Sequence, residues 1–334
     1  MFEPYFHLTG QPFQLSPDPT FYYESRGHKR ALSYLQYGLY QGEGFITLTG
    51  EVGAGKTTLI RNLLRQLDST KVVAAQLVST QLDADNLLRA VATALGLAVR
   101  EQDKARLLAE LEAHLVAMLP KGKRALLIVD EAQNLSPQAV EELRMLSNYQ
   151  IGNRALLQSF LVGQPELRDL MRSPRMQQLR QRVIASYHLG PLDGKETRAY
   201  IEHRLKQVGW KGDPRFEDEV YLLIHAHTGG IPRRINTLCT RALLSAYLSE
   251  KHVITMEAMQ QVIEEFSEEF GEAVASAPTA AEASGPGAPD GSIATLERRV
   301  MGVERAMNIT VNLVRQLIRT REGHAEARAA EKQR

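Results

Sequence analysis

A doubly wound, mostly parallel α/β sheet, followed by a helical segment, a linker and a coiled-coil helix, is the fold class the sequence predicts. Three observations predict it. Short apolar runs alternate with helical patterns between residues 45 and 190. A glycine turn carrying lysine and threonine joins the first of those runs to a helix. Beyond residue 191 the apolar periodicity is helical, until a stretch with almost no large apolar residue interrupts it.

Residues 1–44 are rich in proline and aromatics and then read as a helix from Gly27 to Tyr40, expected to pack on the core. In residues 45–190 the strand candidates are FITLTG (45–50), VVAAQLV (72–78), ALLIVD (125–130), LQSFLVG (157–163) and VIASYHL (183–189). Residues 191–270 show no strand signal. They read as helices near 193–209, 216–227, 231–249 and 256–270, split by GW, DP and GG breaks. Residues 271–291, GEAVASAPTAAEASGPGAPDG, cannot bury enough surface to offset ordering entropy and read as a flexible linker. Within 292–322, Ile293, Leu296, Val300, Val303, Met307, Thr310, Val314 and Leu317 follow steps of three and four. That is a heptad seam with one polar seat, and it favours self-association or a helical partner. A charged tail occupies 323–334.

The formal net charge is +1, so no global field draws the chain to nucleic acid or anionic lipid. Cys239 is the sole cysteine, which excludes a disulfide framework and a cysteine metal cluster. The N-terminus has no basic region followed by an apolar run, and no run of about 18 apolar residues occurs. The expected location is the cytoplasm, with any inner-membrane attachment made through a partner rather than a span of this chain.

Two motifs carry chemistry. Gly50-Glu51-Val52-Gly53-Ala54-Gly55-Lys56-Thr57 fits G-x-x-x-x-G-K-[ST] without a mismatch, and Thr58 follows it. Its glycines let backbone N–H groups curl around phosphate oxygens, and the helix behind adds its positive end. Lys56 can reach the β- and γ-phosphates, and the Thr57 hydroxyl can ligate Mg²⁺. The apolar run ALLIV ends in Asp130-Glu131. A buried strand delivers Asp130 to its carboxyl edge, where it can support the metal, and Glu131 can activate water. His225 and His227 stand at i and i+2, face different ways on a helix, and have no evident third ligand.

The phosphate loop, LLIVDEAQNL, LVGQPEL and GGIPRRIN together resemble the AAA+ class of P-loop ATPases. Within it the chain is similar to the general secretion pathway protein A (ExeA-like) ATPases, in particular to the secretion ATPase of exosortase/PEP-CTERM exopolysaccharide loci. The pattern Y-F-x-L-x-x-x-P-F-x-L-x-P-D-P-x-F-Y, from Tyr5 to Tyr22, adds to the resemblance, which covers roughly residues 1–270. It implies that the helices after 191 form a lid and that ATP with Mg²⁺ is the substrate pair. It implies that Gln164, where many members carry Asn or Thr, senses the γ-phosphate. It also implies an arginine finger from a neighbouring subunit, with Arg180 and Arg182 the candidates in MRSPRMQQLRQRV, and a lid arginine, Arg233 or Arg234, of which Arg233 has the better offset from the glycines.

Several functions stay open at this stage. The resemblance implies an oligomeric ATPase driving assembly or export of envelope polysaccharide or protein, docked on a partner through the coiled coil. A DNA-binding regulator of the transposition type is compatible with the arginine cluster at 172–182, although near-neutral charge argues against it. A nucleotide-gated scaffold without turnover is the third, and the intact Asp130-Glu131 pair argues against that. Pro12 and Phe13 are candidates to close over the base, or else pack across the domain edge.

Overall fold

The computed structural model describes residues 1–16, 18–78, 83–99 and 103–270. The expected linker (271–291), coiled coil (292–322) and tail (323–334) lie outside the described residues. Met1–Ile263 form one compact unit; of a second, Glu264–Arg334, only the last turns of one helix are described.

Five parallel strands make the main sheet: β1 (Phe45–Gly50), β2 (Val72–Val78), β3 (Arg124–Asp130), β4 (Leu157–Gly163) and β5 (Val183–Leu189), in the order β2-β3-β4-β1-β5. β1, β3 and β4 are inside the sheet, and nearly every residue of them is buried because both faces are covered, Thr47, Thr49, Gln158 and Ser159 included. Alternate residues serve different cores. Leu126 and Ile128 of β3 join Ile46, Leu48, Phe160 and Val162 beneath α1 (Arg26–Gln41) and α2 (Lys56–Gln66). Ala125, Leu127 and Val129 face the other way. They meet α3 (Ala84–Ala94), α4 (Lys104–Val116), α5 (Pro137–Leu146), α6 (Pro165–Arg172) and the short α7 (Gln177–Arg180).

The helices start where their sequences say they should. Ser25, Asp83, Asp103 and Ser136 cap α1, α3, α4 and α5, each side chain accepting from a backbone N–H of the first turn. Gly42, in the left-handed conformation that costs a glycine little, ends α1 before β1.

α8 (Gly194–Gln207), α9 (Asp218–Thr228), α10 (Pro232–Leu248) and α11 (Met256–Phe270) follow β5. Asp193 and Glu196 form a reciprocal capping box at the start of α8. These helices enclose a core built around Ile201, Leu205, Ile224, Ile235 and Leu243. Phe2, Phe6, Leu8 and Phe13 complete it. The first 44 residues therefore divide: the leading aromatics pack with the lid helices, whereas α1 packs on β1 and β5.

One sequence expectation is corrected here. Residues 191–270 do contain strand: Arg215–Phe216 pairs in parallel with Val253–Ile254. Two residues are too few to display a period of two, so the ladder leaves no pattern to read.

Phe160 is fully buried in the middle of the sheet. Phe160→Ala is expected to lower unfolding stability by about 3–5 kcal/mol, read from the urea midpoint at unchanged m-value.

Candidate functional site

The phosphate loop lies between the carboxyl end of β1 and the start of α2, at the crevice where strand order reverses. Its three glycines are each pressed by a neighbour. A Cβ on Gly50 would stand 2.6 Å from the Leu189 carbonyl oxygen of β5. Gly53 (φ 82°) backs onto Arg233, and Gly55 (φ 101°) onto the Nε2 of His28, with 2.2 Å and 2.7 Å left for a Cβ. Ala54 is buried, whereas Glu51 and Val52 are exposed, and Val52, Gly53, Gly55, Lys56, Thr57 and Thr58 line the adjoining cleft of about 220 Å³. Lys56 is buried and donates from Nζ to the carbonyls of Gly50 (2.6 Å) and Glu51 (2.9 Å). Burial lowers its pKa, against the pull of the Glu131, Asp130, Glu51 and Glu166 carboxylates.

β3 brings its terminal acids to the same place. Thr57 Oγ1 donates to Asp130 Oδ2 at 3.1 Å, so the two expected metal ligands converge. Burial raises the Asp130 pKa, although the Glu131 N–H and the Thr57 hydroxyl pull it down. A buried carboxylate beside a hydroxyl is a hard-oxygen pair suited to Mg²⁺. Among the described residues no group of three or more His, Cys, Asp or Glu could hold a metal. A Mg²⁺ ion at Thr57 and Asp130 therefore needs phosphate oxygens and water to fill its shell.

Glu131 sits at φ 53° and ψ 39°, a left-handed conformation unusual outside glycine. Its Oε2 accepts from Gln164 Nε2 at 3.0 Å and from Gln133 Nε2 at 2.6 Å. Burial raises its pKa, but these two amides and the Lys56 charge outweigh that and hold the carboxyl below its ordinary value. Gln164 thus stands beside the acid at the tip of β4, where the resemblance placed it.

The arginines separate. Arg233, in the first turn of α10, lines the cleft, and its backbone N–H donates to the Gly53 carbonyl at 3.2 Å. Arg234 is exposed and is not among the cleft residues. Arg180 donates to the carbonyls of Met171, Arg172 and Ser173 at the end of α6, and Arg182 donates to Ser147 Oγ at 2.9 Å. Neither Arg180 nor Arg182 lines the cleft of its own chain.

Residue patterns did not disclose Gln133, His28 and Arg204. Arg204 is buried on α8 and donates to the carbonyls of Pro12 (2.5 Å) and Gln14 (3.1 Å) and to the Tyr200 hydroxyl (3.0 Å). Its guanidinium also lies 4.8 Å from the centre of the Phe21 ring. Of the two readings of Pro12 and Phe13, closing over the base or packing, the structure has the packing one. Phe13 is buried in the lid core, and Gln14, Leu15 and Ser16 line the cleft instead. Phe13 is turned away because its ring has an apolar socket there.

A glycine-bent anion loop, a metal-ready hydroxyl–carboxylate pair and a second acid meet at the crevice of a sheet ordered β2-β3-β4-β1-β5 beneath a helical lid, and the fold is that of the AAA+ P-loop ATPases. Residues 39–171 match the AAA domain family. General secretion pathway protein A of Aeromonas hydrophila is 42% identical over 255 residues, covering 76% of this chain and 46% of that protein. The chain spans about half the length of that relative. Among solved structures, Cdc6p from Pyrobaculum aerophilum aligns with a TM-score of 0.59 at 18% identity, covering 76% of this chain and 70% of the other. The Aeropyrum pernix ORC2 protein in its ADPNP–ADP complexes aligns at 0.57 and 18%, covering 76% and 71%. At these identities the structures speak for the fold.

His28 yields a pH-dependent expectation. It is buried behind Gly55 with Nδ1 2.7 Å from Ser25 Oγ, and burial pushes its pKa from 6.5 down to about 4, against opposing pulls from Glu196 and the Ala54 backbone. A depressed histidine stays neutral when folded while the unfolded chain takes up the proton. Stability is therefore lost as pH falls from 6.5 towards 4, by up to about 3 kcal/mol from this group. Urea unfolding of wild type and His28→Gln from pH 7 to pH 4 checks this. The gap between them should narrow with acidity, and parallel curves would reject a neutral buried His28.

Proposed function

We propose that the chain hydrolyses ATP with Mg²⁺, and that turnover serves the assembly or export of envelope exopolysaccharide or protein. The observation that carries the chemistry is the convergence of Lys56, Thr57, Asp130 and Glu131 around one cleft. Lys56 meets the β- and γ-phosphates, with the N–H groups of Gly50 to Thr58 around them. Thr57 and Asp130 hold Mg²⁺, which when bound neutralises charge on the phosphate oxygens. Glu131 orients a water and takes its proton as the water oxygen attacks the γ-phosphorus. The bond from that phosphorus to the β–γ bridging oxygen breaks, and its electron pair stays on ADP.

Gln164 reads the γ-phosphate beside Glu131. Arg233, clasped through its backbone to Gly53, carries nucleotide state into the lid. A neighbouring subunit supplies an arginine finger, so turnover depends on homo-oligomer assembly. Arg182, held by one hydroxyl, is freer to act in trans than Arg180, which three carbonyls engage.

Identity to General secretion pathway protein A supports the secretion side of this reading. The heptad pattern at 292–322 supplies the natural dock for an envelope partner. No helix among the described residues is long and apolar enough to cross a membrane, so a cytoplasmic ATPase held at the inner membrane by that partner fits the reading.

The second reading is a DNA-dependent regulator. A fold neighbour, Drosophila ORC, was solved bound to DNA, with a TM-score of 0.56 at 18% identity. The basic segment at 172–182 speaks less strongly for it, because Arg172 lies 3.7 Å from Asp169 and Arg180 caps α6.

Steady-state ATP hydrolysis with and without duplex DNA, across a salt series, separates the two. Mg²⁺-dependent turnover is expected, indifferent to DNA, abolished in Lys56→Ala and lowered roughly 10²-fold or more in Glu131→Gln. Strong, salt-sensitive stimulation by DNA would promote the regulator.

A further inference from the structure

We propose that Gln133 is a positioning residue for the general base, a two-ended bridge that aims the Glu131 carboxylate from the backbone of the β4 tip; this rests on the hydrolytic reading above. One end of the amide donates from Nε2 to Glu131 Oε2 at 2.6 Å. The other end accepts at Oε1 from the Gln164 backbone N–H at 3.0 Å. The orientation is set by its partners. A flipped amide would face an oxygen to the carboxylate and an NH₂ group to an N–H, and lose both bonds.

The approach needs Gly163. A Cβ there would stand 2.6 Å from Gln133 Oε1, so the last residue of β4 has to leave that space open. Gln164 closes the circuit by donating its own Nε2 to the same carboxylate oxygen. Two amides thus engage Oε2, and Oε1 accepts no hydrogen bond from the described residues, so water can meet it there. Glu131 stands in a left-handed backbone conformation, and of the two amides that hold its carboxylate Gln133 is the one from its own turn. It is not among the cleft-lining residues, whereas Glu131 is, so it acts on the reaction through Glu131 and not on the nucleotide.

This arrangement separates positioning from mere packing. Gln133→Glu keeps an oxygen for the Gln164 N–H but presents an acceptor to Glu131. Gln133→Met keeps the length and loses both bonds. Both variants should lower kcat roughly 10- to 100-fold, the scale of a mis-set reacting group, with nucleotide affinity and melting temperature near wild type. In a Glu131→Gln background, adding Gln133→Met should cause no further loss, as a group acting through Glu131 requires. Glu131-dependent turnover with wild-type kcat in Gln133→Glu would overturn this inference alone. A further loss in the double variant equal to that in the single would also overturn it. A wild-type protein without Glu131-dependent turnover would overturn the hydrolytic reading and this inference together.

Discussion

A six-residue turn with no room for a side chain at any of its three glycines organises this molecule. At Gly50 it is pressed by the backbone of β5, at Gly53 by the lid residue Arg233, and at Gly55 by His28 of α1. Sheet edge, lid and N-terminal helix all meet the same backbone. Any β-carbon at Gly53 or Gly55 would collide with a neighbour and also occupy a conformation that L-residues avoid. The anion-binding curl and the contacts between parts of the fold are thus one constraint. Lys56 reaches back across the curl to the Gly50 and Glu51 carbonyls and ties its two limbs.

The acids depend on a different balance. β3 is apolar from Ala125 to Val129, which lets it lie inside the sheet and deliver Asp130 and Glu131 to the edge. Delivery alone does not aim a carboxylate. Thr57 fixes Asp130, and the side chains of Gln133 and Gln164 fix Glu131. The polar contacts that matter are between residues from α2, β3 and the β4 tip, so the site exists only when the sheet is complete.

This explains what could be read from the sequence. The strands were legible as short runs rich in apolar and β-branched residues set between helical patterns, and the phosphate loop because its glycines answer a local backbone demand. Asp130 and Glu131 were legible by position at a strand end. Gln133 was not, since its role arises from two partners, one of them 31 residues away on another strand end. His28 looked like an ordinary helix residue because its burial is produced by a loop more than 20 residues on. The Arg215–Phe216 ladder was too short to carry a period. Phe13 stayed between two readings because an aromatic near a nucleotide cleft reads the same whether it faces the cleft or the lid core.

The packing of Phe2, Phe6 and Phe13 among the lid helices has a consequence for biosynthesis. The lid is discontinuous in sequence: its first aromatics leave the ribosome roughly 180 residues before α8. At translation rates of about 5–20 residues per second, they wait on the order of ten seconds or more for their partners. Throughout that interval the nascent chain carries these aromatics without their lid partners. The two halves of this core are made far apart in time, and a holdase that bound residues 2–13 would cover them until α8 is made.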